Sequence, residues 1–158
     1  MRYYLFLLSL IACVFAGYAQ DIQTSYDSTV ISVQQFAELK QKYGQHKVLP
    51  VGFEKQALIA LSFYPELKDV KINFVVESAF IPLASRPTIW SLLFCKAHNR
   101  TYQVIISNNS IDKLDPILLK NLQFNAQIGV LGHELAHSSY FLHKNGLEMI
   151  WIALCYFS

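Results

Sequence analysis

Hydrophobic and polar positions along the chain follow first a helical and then a two-residue period. Ser32 has Gln35 three residues on, the signature of a capping box, and Val33, Phe36, Ala37 and Tyr43 then recur at roughly helical spacing up to Gly44. Pro50 and Gly52 mark a turn. Glu54–Tyr64 predicts a second amphipathic helix with Ala57, Leu58, Leu61 and Tyr64 on one side, ended by Pro65. From Val70 to Glu77 the period changes. Val70, Ile72, Phe74 and Val76 alternate with Lys71, Asn73 and Glu77, which predicts a half-buried strand. After Pro82 and Pro87, the apolar run Ile89–Cys95, the polar stretch Lys96–Arg100 and the alternating Thr101–Ser107 predict a hairpin. Asp115-Pro116 opens a short helix through Leu122, and Asn125 can cap a longer one running to about Leu142.

The first nineteen residues stand apart from this pattern. Arg2 precedes an apolar stretch from Tyr3 to Phe15, and small residues follow at Gly17 and Ala19, the arrangement of a secretory signal peptide cut before Gln20. Two alternatives stay open. One is a membrane anchor, for which the stretch is shorter than the roughly 20 apolar residues of a spanning helix. The other is lipidation, since Leu10-Ile11-Ala12-Cys13 resembles a bacterial lipobox with Cys13 as the acylated residue. Residues 20–31 predict a mobile leader, and residues 32–158 a single domain.

Composition narrows the function. The chain of 158 residues is 53% hydrophobic and 15% charged, so it can bury enough surface to fold. Its 13 basic and 11 acidic side chains are scattered; losing Met1–Ala19 would remove Arg2 alone and leave 12 against 11. No concentrated basic face of the kind nucleic acid requires is present in the sequence, so no nucleic-acid partner is expected. Export would also leave Cys95 and Cys155, which could pair in only one way or remain separate buried thiols.

The chemistry concentrates in His133-Glu134-Leu135-Ala136-His137 on the last long helix. Two His four residues apart on a helix differ by about 40° around its axis, so both imidazoles face one point. Neutral imidazole is a good zinc ligand. Glu134 lies about 100° from His133, too far round to ligate with it readily but placed to reach a water on the metal as a general base. Gly129 and Gly132 precede the motif inside the helix, where each costs about 1 kcal/mol relative to Ala; close approach of a strand or substrate backbone would account for them.

Over Gln127–Tyr140, QIGVLGHELAHSSY, the chain resembles a zincin-type zinc metallopeptidase. The resemblance implies that His133 and His137 are zinc ligands and Glu134 the catalytic base. It also implies an α+β fold, with a small twisted sheet packed on the motif helix and an edge strand lining the substrate cleft, a place assigned to Thr101–Ser107. More loosely, Pro82–Pro87 and Leu122–Gln127 resemble stretches of small exported bacterial zincin-like proteins of unassigned substrate.

A catalytic zinc needs a third protein ligand. His143 has the metzincin spacing, but Tyr140 stands where that pattern has Gly, so His143 could ligate only if the helix ended near Tyr140. Glu148 would open the next element after Lys144-Asn145-Gly146. The third reading is that the ligand is missing, the apolar Leu147–Phe157 run being the beginning of an element in a C-terminally incomplete domain. Tyr140, three residues past His137 on the same face, is a candidate donor to a developing oxyanion or a packing residue.

These residues predict an exported, periplasmic or extracellular, zinc-dependent hydrolase acting on a peptide or protein substrate. Two rivals are a catalytically incomplete zincin-like binding protein and a membrane-associated interaction protein using the apolar N-terminus and the Leu147–Phe157 tail.

Overall fold

The computed structural model describes residues 31–109 and 112–157, with side chains described over 31–109 and 114–151. The signal-peptide, leader and Cys13 readings, and the side chain of Cys155, lie outside the described residues. The fold is α+β: a small mixed sheet and, among the described residues, five α-helices.

Helices α1 (Val33–Tyr43) and α2 (Glu54–Ser62) fall where the helical period puts them, with β1 (Lys47–Val48) between. Strand β2 (Lys71–Glu77) carries the alternation as burial as far as Phe74: Ile72 and Phe74 are enclosed and Lys71 faces water, whereas Val76, expected on the buried side, is exposed beside Glu77 at the strand's end. The segment Leu83–Pro87 is β3, Ile89–Phe94 is α3 and Thr101–Ser107 is β4. The motif helix α4 runs from Phe124 to Leu142, and α5 from Gly146 to Phe157. Two short 3-10 turns, Asp112–Ile117 and Leu119–Asn121, replace the predicted helix before α4. Helix α4 is preceded by Gln123 rather than capped by Asn125.

The strands lie in the order β1-β2-β4-β3; β1, β2 and β4 are parallel, and β3 runs antiparallel to β4. Two sequence expectations are corrected here. Ile89–Cys95 is not the first strand of a hairpin: Ile89–Phe94 is a helix, in which Trp90 and Phe94, one turn apart, stack at 5.9 Å. A short apolar run carries no period that separates strand from helix. Its place beside β4 is taken by Leu83–Pro87, so β3 stands at that edge of the sheet, β1 at the other, and Thr101–Ser107 is internal. The end bonds of this pair, Ser107 N–H to the Pro82 carbonyl and Thr88 N–H to the Thr101 carbonyl at 2.9 Å each, set its phase. Alternation along an antiparallel ladder then leaves the backbone groups of Leu83 and Ser85 on the free edge. Pro87 lacks an N–H and falls on that same side, where an edge strand tolerates it.

One core joins the sheet to the helices. Ile72 and Phe74 of β2 and Tyr102, Val104 and Ile106 of β4 meet Ala57, Leu58 and Leu61 of α2 and Leu131, Leu135 and Leu142 of α4. The N-terminal end of α4 is fixed by Gln127, whose amide donates to the carbonyls of Leu119 and Leu122 and whose oxygen accepts from Gln56 at 2.7 Å. No helix among the described residues is long and apolar enough to cross a membrane.

Candidate metal and active site

The H-E-x-x-H residues divide between two faces of α4 because the helix is packed on one side only. Leu135 is fully buried against the core, and Ser138 beside β3 is fully buried too. His133 and His137 project from the exposed side, with their Nε2 atoms 3.2 Å apart and their rings edge-to-face. Phe141, one turn on, stacks against His137 at 6.3 Å and restrains that ring. Two nitrogens bound at 2.0–2.1 Å to a tetrahedral zinc stand about 3.3 Å apart, so the imidazole pair fits one shared ion with little movement.

Glu134 lies between these faces, buried at 8% exposure beside the edge strand. Burial pushes its carboxyl above the usual carboxylate range; His137, His133 and the Ser85 backbone amide oppose that shift. The Ser85 amide is one of the groups the ladder leaves on the free edge of β3, and the Ser85 hydroxyl meets the Ser138 hydroxyl at 2.7 Å. Ser85 thus makes polar links from the sheet edge to the motif helix through both its amide and its hydroxyl. Ser85 sits in the Pro82–Pro87 stretch, but its contact with Glu134 depends on β3 being at the edge, which the local pattern does not reveal.

Neither third-ligand candidate gathers with the His pair into a group of three among the described residues. Helix α4 continues through Tyr140 to Leu142, two residues past Tyr140, and His143 is the residue that follows its end. Glu148 forms a reciprocal cap with Asn145: its carboxylate accepts from the Asn145 amide at 2.8 Å, and its own amide donates to Asn145 Oδ1 at 2.9 Å. Among the described residues, no group of three His, Cys, Asp or Glu side chains gathers in metal-binding range. Tyr140 is 51% exposed, with the Lys144 ammonium 5.1 Å from its ring centre. Cys95 is a free, partly buried thiol. His46 and His98 are exposed, away from packed surfaces.

No strand approaches the glycines that precede the motif. A Cβ added at Gly129 or Gly132 meets nothing within 4 Å. Gly132→Ala is therefore expected to raise stability by roughly 0.5–1 kcal/mol through helix propensity, and Gly129→Ala by a similar amount. Thermal unfolding of each variant checks this, a fall in Tm being the contrary result.

Compared with known proteins, the chain matches no family model, no curated protein and no solved structure.

Proposed function

We propose that this chain is an exported zinc-dependent hydrolase, a metallopeptidase of zincin-like architecture. The observation that carries the reading is the imidazole pair at tetrahedral-zinc spacing on an exposed helix face, with a buried carboxylate one residue along. His133 and His137 would hold the ion. Bound zinc would supply Lewis acidity toward a carbonyl and bring water at the ion toward a pKa of ~7.

The chain's own residues account for the rest. Glu134 would take the proton of the attacking water and pass it to the leaving amine, a role that suits a carboxyl whose proton affinity burial has raised. The Ser85 amide restrains that carboxylate and keeps it beside the His pair. An extended peptide laid along the free edge of β3 would find the backbone groups of Leu83 and the carbonyl of Ser85 available for pairing, the Ser85 amide being engaged by Glu134.

A second reading is favoured by one observation: no third donor accompanies the His pair among the described residues. Two imidazoles hold zinc weakly, and such a chain would bind a ligand without turning it over. A quenched-fluorescent peptide library separates the two. The hydrolase reading expects cleavage that zinc supports, a chelator stops and His133→Ala abolishes. Zinc binding without cleavage of any member would support the binding-protein reading instead.

A further inference from the structure

Away from the His pair, two apolar elements meet beside a basic groove. Helix α3 turns Ile89, Trp90, Leu93 and Phe94 outward, the two aromatic residues 74% and 75% exposed, and α5 exposes Leu147 and Trp151. The elements abut: the Leu92 carbonyl lies 3.2 Å from where a Cβ on Gly146 would stand. Leu93, Phe94 and the start of α5 line one groove of about 490 Å³. Both tryptophans of the chain are therefore exposed on these two elements. Single exposed apolar residues are ordinary, but so many on adjoining elements mark an interaction surface.

Charge identifies the partner. The groove is lined by Lys96, Arg100, His143 and Lys144, with no acidic side chain among its lining residues. Arg100 is only 2% exposed, and its guanidinium donates to the carbonyls of Cys95 and Lys144, at 3.3 and 2.8 Å. Among the described residues the one ion pair is Lys120–Asp115, so no carboxylate of those residues balances this buried cation. Glu148 at the start of α5 has its carboxylate on the Asn145 amide.

We propose that this face docks on an anionic phospholipid surface. Trp90 and Phe94 of α3 and Leu147 and Trp151 of α5 enter the interfacial layer, where Trp is favoured, and a lipid phosphate enters the groove against Arg100, Lys96 and Lys144. A symmetric pairing of two copies through this face fits less well, since it would bring one basic groove against another. The inference is independent of the zinc reading.

Vesicle sedimentation of the full chain tests it, with phosphatidylcholine vesicles compared with vesicles containing phosphatidylglycerol. The expected result is binding to the phosphatidylglycerol vesicles, weakened by salt and accompanied by a blue shift of tryptophan emission. Each Lys near a charged surface contributes about 1 kcal/mol, so Lys96→Gln with Lys144→Gln should weaken that binding about thirty-fold. Trp90→Ser with Phe94→Ser, changed at exposed positions, should abolish it without lowering Tm. Absence of binding, equal binding to both vesicle types, or a dimer that the Trp90/Phe94 variant dissociates would overturn the proposal.

Discussion

Replacing Glu134 with Gln is expected to lower zinc-supported peptide hydrolysis by roughly 10²–10⁴-fold, the contribution of a positioned acid–base group. The structure adds that this loss should come without loss of fold. Gln has the shape of Glu and keeps an oxygen that can accept from the Ser85 amide, but it cannot take a proton. The site is buried, so removing a charge there also relieves desolvation, and Tm should stay at or slightly above the parent value. Steady-state kinetics beside thermal unfolding checks both halves. Unchanged turnover would make Glu134 a carboxyl that merely packs beside β3. A large fall in Tm would make it a structural partner of Ser85.

The largest effect on stability is expected two residues from His133 in the same motif. Leu135 is 0% exposed, enclosed with Leu131 and Leu142 of α4 by the sheet and by α2. Leu135→Ala removes its buried methyl groups and leaves a cavity at the junction of these layers, with an expected cost of about 2–5 kcal/mol. In a domain of this size that lowers Tm by on the order of 10 °C. Ala136, the next residue, is exposed, and Ala136→Ser should change stability by less than about 0.5 kcal/mol. Similar losses at both positions would mean that α4 does not present the face described.

Elements whose period is carried by their own residues were legible in the sequence. The alternation over Val70–Glu77 predicted β2, and the caps and apolar spacing predicted α1 and α2, because burial on one face imposes those periods. The arrangement of strands was not legible in the same way. Resemblance alone gives Thr101–Ser107 the edge place, its alternation predicting only a strand, and β2 and β3 flank it on both sides. Which strand stands at the edge is settled by the chain's return through Pro82–Pro87, and no local pattern records that return. Ile89–Phe94 was misread because its exposed apolar side chains do not alternate with polar ones as a solvent-facing helix normally does; its outer face is itself apolar.

For the candidate site, the spacing of His133 and His137 on a helix was enough to place both rings together, as the 3.2 Å contact records. The surroundings of Glu134 required the tertiary fold, because Ser85 lies 49 positions earlier in the chain. The fate of Glu148 turned on a local competition. Asn145 three residues before it offers a reciprocal cap that satisfies two helix-end amides. A carboxylate engaged there is held at its own helix start rather than extended toward the His pair.

The measurement that bears most directly on the account is a zinc titration of the full chain against a chromophoric chelator, with single substitutions in parallel. The account predicts weak zinc binding in the parent, unchanged in Glu134→Gln, Glu148→Ala and His143→Ala and lost in both His133→Ala and His137→Ala. Zinc binding at the parent level in either His variant, or its loss in Glu134→Gln, would contradict a metal site built on this imidazole pair.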